Sequence, residues 1–222
     1  MSAPPAVDAR ELYRFFRSED EETQALRGVS LSVPRGEFVT VTGPSGSGKS
    51  TLLSCLAGTD DPDGGSVYID GKRISHRTER TRCAIRAAHI GLLFQSANLF
   101  DHLTVAQNVA LVETLAQDRR HSDTGTLLVR LGIDARAGAY PHQLSGGELA
   151  RAAMAVALAN GPAVLLADEP TGELDSTSEA VVLDLLRRAA EEGTAVVVAS
   201  HSAAVADAAD RVVRLCDGRV AA

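Results

Sequence analysis

The alternation of hydrophobic and polar positions divides this chain into strand-like and helix-like segments. Short apolar runs rich in β-branched residues predict strands, and several are apolar at every position, as in a parallel sheet that is covered on both faces. The predicted strands are residues 29–33, 38–42, 67–69, 90–94, 164–167 and 195–199. Apolar residues that recur at helical spacing predict helices at 49–57, 105–115, 125–131, 147–159 and 176–191.

The order of these elements predicts an α/β fold. Strand 38–42 leads through a glycine-rich turn into helix 49–57, and the strand–helix–strand order returns after residue 164. Between these parts we expect a helical subdomain, at about residues 96–160, that is inserted in the α/β core. An antiparallel β portion is expected near the N-terminus, with the acidic run at 18–22 as the solvated tip of a hairpin. Residues 1–222 are therefore expected to form one domain with two lobes.

Composition excludes several classes of function. The formal net charge of −7 argues against nucleic acid as a partner, because binding phosphate backbones requires a basic face. No apolar stretch reaches the roughly 20 residues that span a bilayer, and the first residues lack the order of a signal peptide. We therefore expect a cytoplasmic protein without direct membrane insertion. Cys55, Cys83 and Cys216 are widely spaced, which favours reduced thiols over disulfides or a zinc site.

The glycine-rich turn after strand 38–42 carries a specific chemical signal. It matches the full phosphate-binding loop (P-loop) pattern between a strand and a helix, with the sequence Gly43-Pro44-Ser45-Gly46-Ser47-Gly48-Lys49-Ser50. Backbone N–H groups would point at the phosphates, helped by the positive end of the following helix. Lys49 would contact the β- and γ-phosphates, Ser50 would ligate magnesium, and Thr51 is grouped with the nucleotide-binding residues. The alternative is a glycine-rich turn with a surface lysine. It is disfavoured because the full motif is present and lies between a predicted strand and a predicted helix, as a P-loop requires.

The strand predicted at 164–167 ends in the adjacent carboxylates Asp168 and Glu169. Such a pair at the end of an apolar strand is costly unless something uses the charge. Asp168 would hold magnesium, and Glu169 would polarise the attacking water as a general base. The structural alternative is a helix-capping pair before Pro170.

The signature segment, Ser145-Gly146-Gly147-Glu148, supports two interpretations that are compatible. Ser-x-x-Glu before an apolar helix is a capping box. Two glycines in a first helical turn cost roughly 1 kcal/mol each relative to alanine, which a cap alone would not require. Close backbone approach to a γ-phosphate would explain them. Because an insertion separates this segment from the P-loop, that phosphate is expected to belong to the nucleotide of a second copy.

These motifs in this order resemble the ATPase subunits of ABC transporters over essentially the whole chain. The resemblance implies binding of ATP and Mg²⁺, a homodimer, and a separate integral membrane permease whose cytoplasmic helix docks near residues 95–100. It also implies that Gln95 contacts magnesium and the membrane partner, that Asp175 belongs to the nucleotide site, and that His201 contacts the γ-phosphate. Taken alone, His201 would more often be a surface histidine.

The subgroup and the adenine contact rest on fewer residues. The run from Ala167 to Asp175, with 90–95 and 98–99 before it, resembles cassettes of the lipoprotein-release, macrolide-export and cell-division type. Phe16 falls where this family stacks an aromatic ring on adenine, with Phe15 or Tyr13 as alternatives. The structural alternative for Phe16 is an aromatic ring packed in the core at a strand end.

Some positions depart from the family pattern. Leu149 and Ala150 stand where two polar residues are usual, Val156 where arginine is frequent, Glu173 where asparagine is common, and Ser202 where aspartate is common. These differences alter the polar contacts expected around the helix predicted at 147–159, which we call the signature helix, and hence the expected dimer strength and turnover. Two alternatives to a transport ATPase stay open: a cassette ATPase that acts on ribosomes or DNA, and a regulatory module that senses ATP with little turnover, which the altered signature helix would suit.

Overall fold

The computed structural model describes residues 4–17, 22–94, 99–115 and 123–221. The strands of this part are β1 (Val7–Arg17), β2 (Glu22–Val33), β3 (Phe38–Thr42), β4 (Gly64–Ile69), β5 (Lys72–Arg73), β6 (Ile90–Leu93), β7 (Val164–Asp168), β8 (Ala195–Ala199), β9 (Arg211–Cys216) and β10 (Arg219–Val220). The α-helices are α1 (Lys49–Ala57), α2 (Glu79–His89), α3 (Val105–Leu115), α4 (Thr124–Arg130), α5 (Gly146–Leu158), α6 (Ser176–Glu191) and α7 (Ala203–Ala208). Two short 3₁₀ turns, Asp134–Arg136 and Pro141–Gln143, lie between α4 and α5.

A parallel sheet positions the candidate chemistry. The six-stranded sheet has the order β10-β9-β3-β8-β7-β6, and every pairing from β9 to β6 is parallel. The carboxyl ends of β3, β8 and β7 therefore meet at one edge. The P-loop follows β3, Glu169 follows β7, and His201 follows β8. The adjacency of these three strands brings segments that are far apart in sequence to one site.

Both faces of this sheet are covered, as the uninterrupted apolar strands predict. In β7, Val164 and Leu166 belong to a core shared with α1 and the antiparallel sheet. Leu165 and Ala167 belong to a second core that includes residues of α3, α4, α5 and α6. The inserted helices thus pack on the opposite face of the same sheet. The predicted α/β P-loop fold with an antiparallel β portion and inserted helices is confirmed.

The antiparallel sheet has the order β2-β1-β4-β5. β1 and β2 form a long hairpin whose pairing runs from Val7 opposite Val33 to Arg17 opposite Glu22. The acidic run predicted as the hairpin tip joins these two strands, and its residues 18–21 lie outside the described residues.

Several elements were not predicted from the sequence. The helix α2 begins after Thr78, whose hydroxyl accepts a hydrogen bond from the Thr81 N–H. Ile85 is the buried residue of this helix, so its apolar face is narrow. The predicted hairpin implied β1 without giving its bounds, and the C-terminal strands β9 and β10 were missed. In β9 only Val213 and Leu215 are buried, and β10 is exposed.

Candidate nucleotide-binding site

A cleft of about 610 Å³ opens at the carboxyl edge of the parallel sheet. It brings together residues from the P-loop, the end of β7, the segment after β8 and the β1–β2 hairpin. Its lining residues are Phe16, Ala25, Gly43, Pro44, Ser45, Gly46, Gly48, Lys49, Ser50, Thr51, Asp168, Glu169 and His201. Sequence reasoning missed Ala25, a small residue of β2 that carries no chemical signal.

The P-loop has the geometry of an anion site at a helix N-terminus. α1 begins at Lys49, so its free N–H groups face the cleft, where they favour negative charge. Lys49 Nζ donates to the carbonyl oxygens of Gly43 at 2.8 Å and Pro44 at 3.1 Å. An ammonium group has three donors, so this arrangement holds the charge over the loop and leaves capacity for a phosphate. Ser47, within the loop, is buried and does not line the cleft.

Gly48 shows why the loop tolerates no side chain at its last turn. Its φ of 102° lies in the left-handed region, and a Cβ there would come within 2.4 Å of the Ala25 carbonyl oxygen. The close approach of the hairpin therefore requires glycine.

Glu169 lies at the centre of the site in an unusual backbone conformation. Its φ is 47°, a conformation that costs of order 1–3 kcal/mol in a non-glycine residue and clusters at functional sites. The Glu169 N–H donates to the Ala199 carbonyl at 2.9 Å, which ties the residue to β8. Ser200 Oγ donates to Oε2 at 2.9 Å, and His201 Nδ1 lies 2.8 Å from Oε1. Both oxygens of the carboxylate are thus oriented by the segment after β8.

The histidine and the glutamate differ in their access to solvent. The His201 side chain is 76% exposed, whereas that of Glu169 is 17% exposed. His201 therefore presents its ring to the cleft while holding a half-buried carboxylate beneath it. Asp168, one residue earlier, is half-buried and lines the same cleft.

The three candidates for the adenine contact, Phe16, Phe15 and Tyr13, all lie in the part of the chain that the structure describes. Of these three, only Phe16 lines the cleft. Its side chain is 44% exposed and belongs to neither core cluster, so the alternative of core packing does not hold. The Arg14 guanidinium carbon lies 4.7 Å from the ring centroid, and Arg14 pairs in turn with Asp60 at 2.8 Å. This cation–π contact fixes one face of an exposed ring.

The signature segment lies outside the cleft. Ser145 caps α5: its Oγ accepts from the Glu148 N–H at 3.3 Å, and Glu148 Oε2 accepts from the Ser145 N–H at 2.9 Å. The predicted capping box is therefore confirmed. Ser145 and Gly146 are exposed. Within this chain, the described cleft receives no residue from the segment.

A salt bridge fixes the carboxylate of the capping box. Glu148 Oε1 accepts from Arg136 Nε at 2.8 Å. This hydrogen bond, with that from the Ser145 backbone, lowers the pKa of Glu148 from 4.5 to about 2. Arg136 comes from a 3₁₀ turn ahead of α5, and it anchors the start of the signature helix.

The two glycines of the signature segment differ in their surroundings. A Cβ on Gly147 would lie 2.6 Å from Ser178 Oγ, so the packing of α6 within this chain requires glycine there. A Cβ on Gly146 would make only ordinary contact, 3.6 Å from Leu174. Packing within the chain therefore explains glycine at position 147 but not at position 146, and the approach of both residues to a phosphate stays a prediction.

Two further predicted residues lie elsewhere. Asp175 caps α6, since Oδ1 accepts from the N–H groups of Thr177 and Ser178, both at 3.0 Å. These bonds, chiefly that from the Ser178 N–H, lower the pKa of Asp175. It does not line the cleft. Gln95 lies outside the described residues.

Four of the five departures from the family pattern line a small cavity or belong to the second core, and the fifth, Ser202, makes a hydrogen bond. Leu149 and Ala150 line a small cavity of about 110 Å³, with Glu173 and Leu93 among its other walls. Val156 is 9% exposed and belongs to the second core. The hydroxyl of Ser202 donates to Glu179, a contact the sequence did not suggest.

The residues of the cleft fit magnesium as it is held with a nucleotide. Mg²⁺ is usually bound by one or two protein oxygens together with substrate phosphates and water. Ser50 and Asp168 offer such oxygens in one cleft. In the described part of the chain, no group of three or more His, Cys, Asp or Glu side chains could hold a metal without a nucleotide.

The fold and cleft define a P-loop nucleoside-triphosphatase with a second glycine-rich segment on its surface. A family model described as ABC transporter matches residues 26–172, more than half of the chain. The chain therefore belongs to the ABC transporter family, as an ATP-binding cassette with ATPase activity.

Curated relatives include proteins of two lengths. An uncharacterized ABC transporter ATP-binding protein of Methanocaldococcus jannaschii, MJ1508, is 38% identical over 96% of this chain and 97% of its own length. The macrolide export ATP-binding/permease protein MacB of Rhodospirillum rubrum is 42% identical over 98% of this chain. The chain spans 34% of that MacB protein, about a third of its length.

Solved structures show the same fold. The dimeric structure of MJ0796, an ABC transporter cassette, is 35% identical, with a TM-score of 0.88 over 97% of both chains. A second dimeric structure of MJ0796, in a post-hydrolysis state bound to ADP and Pi, is 36% identical, also with a TM-score of 0.88.

Proposed function

We propose that this chain is the ATP-hydrolysing subunit of a transport or mechanotransmission complex. Two copies close head to tail around two Mg-ATP and act on a separate membrane permease. The observation that carries the proposal is that the P-loop, Asp168, Glu169 and His201 share one cleft, while Ser145 and Gly146 of the signature segment are exposed outside it. Residues 1–222 act as one cassette domain with a helical subdomain at about 96–160.

The cleft residues other than Ala25 have roles in this proposal. The P-loop from Gly43 to Ser50, together with Thr51, holds the phosphates, and Phe16 stacks on adenine. Glu169 accepts a proton from the attacking water as the general base. His201 contacts the γ-phosphate from its exposed position. Magnesium, when bound, neutralises charge on the phosphates, and Ser50, Asp168 and Gln95 would hold it.

The proposed dimer places a second anion site against the first. Ser145 caps helix α5 and Gly146 begins it, and a helix N-terminus with exposed N–H groups suits a phosphate. In a head-to-tail pair, the signature segment of one copy, with Glu148 as its cap, covers the nucleotide in the cleft of the other. Asp175, near the same surface, joins the site at the interface. The dimeric structures of MJ0796 support a dimer, and the head-to-tail arrangement is our proposal.

The membrane partner is proposed to dock between the α/β core and the inserted helices. A groove of about 840 Å³ lies there, lined by residues of α2 and by Leu115 at the end of α3. Leu115 in this groove is 63% exposed, and Phe94 and Phe100, next to and within the predicted docking segment 95–100, are 42% and 53% exposed, so each offers apolar surface to a partner. None of the described helices is long and apolar enough to cross a membrane. We propose a peripheral location on the cytoplasmic face of the plasma membrane, held through the permease.

The test compares the wild-type protein with Glu169→Gln. Gln keeps the size of the side chain but cannot take a proton, so hydrolysis should fall by roughly 10²-fold or more while ATP binding is retained. Bound ATP should then trap a dimer in size-exclusion chromatography with Mg-ATP, and ADP should not. Adding Ser145→Arg should abolish the shift.

A matched control is Glu191→Gln, an exposed glutamate in the last turn of α6 that should leave both activity and elution unchanged. Wild-type hydrolysis rates in Glu169→Gln would exclude Glu169 as the base. A wild-type protein that binds ATP without turnover would favour the ATP-sensing module instead.

A further inference from the structure

Glu179, in the first turn of α6, joins two segments of the site that are distant in sequence. Its Oε1 accepts a hydrogen bond from Thr171 Oγ1 at 3.1 Å and another from Ser202 Oγ at 2.9 Å. Thr171 is two residues after Glu169, and Ser202 directly follows His201. One carboxylate oxygen therefore holds both segments that carry the proposed catalytic pair.

These contacts continue to the proposed general base. The Ser202 N–H donates to Ser200 Oγ at 3.1 Å, and Ser200 Oγ donates to Glu169 Oε2 at 2.9 Å. On the other side, the Gly172 N–H donates to the Glu169 carbonyl at 3.2 Å. Together with the backbone that connects them, these hydrogen bonds form a closed ring, which we call the Glu179 ring. Its members are Glu169, Thr171, Glu179, Ser200 and Ser202.

The chemistry of the ring explains why an acceptor is needed at position 179. Each hydroxyl has a single proton to donate. Ser200 directs its proton to Glu169, and Thr171 and Ser202 direct theirs to Glu179. Thr171 is 4% exposed and Ser200 is 1% exposed, so water is a poor replacement partner for these hydroxyls. An ionised carboxylate makes stronger hydrogen bonds with hydroxyl groups than a neutral acceptor does.

We propose that Glu179 is a positioning residue for ATP hydrolysis, which sets the distance between Glu169 and His201 by clamping the segments after β7 and β8 to α6. It contacts neither nucleotide nor water in this proposal, and it acts through Thr171 and Ser202. The inference rests on the proposed function, because it takes Glu169 as the general base.

The test measures kcat, KM and nucleotide affinity for Glu179→Ala and Glu179→Gln in the full chain. Small displacements of catalytic groups cost rate rather than binding, so Glu179→Ala should lower kcat about tenfold or more and leave KM and ATP affinity within about twofold. Glu179→Gln keeps an acceptor oxygen at the same place and should restore most of the lost kcat. Asp184→Ala is the matched control, because it removes an acid from the same helix that is paired only with exposed Arg188 among the contacts described.

A double variant tests whether Glu179 acts through the ring. Thr171→Val with Ser202→Ala removes both donors and should lower kcat as Glu179→Ala does, and adding Glu179→Ala should cause little further loss. Additive losses, or an unchanged kcat in a folded Glu179→Ala protein that binds ATP, would overturn the inference. If Glu179→Ala does not fold, the result for Glu179→Gln decides. A fall in kcat of about tenfold or more in this variant, which keeps the acceptor oxygen, would also overturn the inference. A wild-type protein without ATPase activity would overturn the proposed function itself.

Discussion

His201 Nδ1 lies 2.8 Å from Glu169 Oε1, although the two residues come from the ends of different strands, β8 and β7. A carboxylate can only accept, so the ionised form of Glu169 requires the proton on Nδ1 and leaves Nε2 free to face the cleft. Ser200 holds the second carboxylate oxygen. The orientation of the proposed base is therefore set by its neighbour strand rather than by its own.

Ser200→Ala should weaken catalysis without weakening nucleotide binding. The variant removes the hydrogen bond to Glu169 Oε2, and one hydrogen bond to a charged group contributes about 1.5–3 kcal/mol. We expect kcat to fall by about tenfold or more, with ATP affinity unchanged. Steady-state kinetics and equilibrium nucleotide binding on the same preparation check this. Unchanged kcat would show that His201 alone is enough to orient Glu169.

The strands and helices predicted most closely are those with strong apolar patterns. The bounds of β3, α1, α3, α6 and β8 agree with the sequence prediction. Helix α2 was missed because its stability does not come from a wide apolar face. Its Glu79 pairs with Arg82 and Arg86 on its own surface, and Arg82 also pairs with Asp61. The helix is therefore mostly charged or polar and buries only Ile85, so the sequence holds no apolar segment long enough to mark it.

The candidate site was predictable where a motif lies in one segment. The P-loop and the Asp168–Glu169 pair are contiguous, and the structure brings them into one cleft with His201. Glu179 could not be found from the sequence, because its partners Thr171 and Ser202 come from two other segments. Its place beside them depends on the packing of α6 across the sheet, which has no local signal.

Gly147 and Gly146 should respond differently to alanine. A Cβ on Gly147 meets Ser178 Oγ at 2.6 Å, and that hydroxyl is held by Asp175 Oδ2 at 2.9 Å. Overpacking costs about 1–3 kcal/mol, partly offset by the better helix propensity of alanine, so Gly147→Ala should lower the free energy of unfolding by about 1 kcal/mol. Urea denaturation measures this change.

Two variants serve as controls for that experiment. Ser178→Gly removes the clashing atoms and should make Gly147→Ala less harmful. Gly146→Ala should leave stability unchanged or raised, but should impair ATP-dependent dimerisation if a partner's phosphate approaches that position. Equal losses of stability for both alanine variants would contradict the distinction between the two glycines.

The ion pair of Glu148 with Arg136 should make stability depend on pH. Hydrogen bonding lowers the pKa of Glu148 to about 2 in the folded state from its ordinary 4.5. A depressed carboxyl pKa stabilises the fold above the unfolded value, so the contribution is fully present above about pH 4.5 and is lost as the pH falls toward 2. Wild type should therefore be more stable than Glu148→Gln at pH 7, and the difference should shrink progressively below pH 4.5.

Urea midpoints of both proteins across this pH range provide the measurement. Because the pair is at the surface, added salt should also reduce the difference at pH 7. Glu191→Gln, at an exposed site, should show a smaller difference at pH 7. A difference for Glu148→Gln that stays constant from pH 7 to pH 3 would show that the charge of Glu148 contributes nothing.

Mixing two inactive variants tests whether the signature segment acts on the nucleotide of a second copy. Lys49→Ala removes a charge that binds phosphate in both the ground and transition states, so affinity and hydrolysis should fall together. Ser145→Arg leaves the P-loop intact but blocks the exposed start of α5.

Each homodimer of these variants lacks an intact composite site. A mixed dimer has one, formed by the P-loop of the Ser145→Arg chain and the signature segment of the Lys49→Ala chain. The mixture should recover ATPase activity above both parents, up to about half of the wild-type rate per mixed dimer if the two sites work independently. Linking the two chains covalently ensures that mixed dimers form. A linked pair that is folded and no more active than its parents would show that the two copies do not share their sites head to tail.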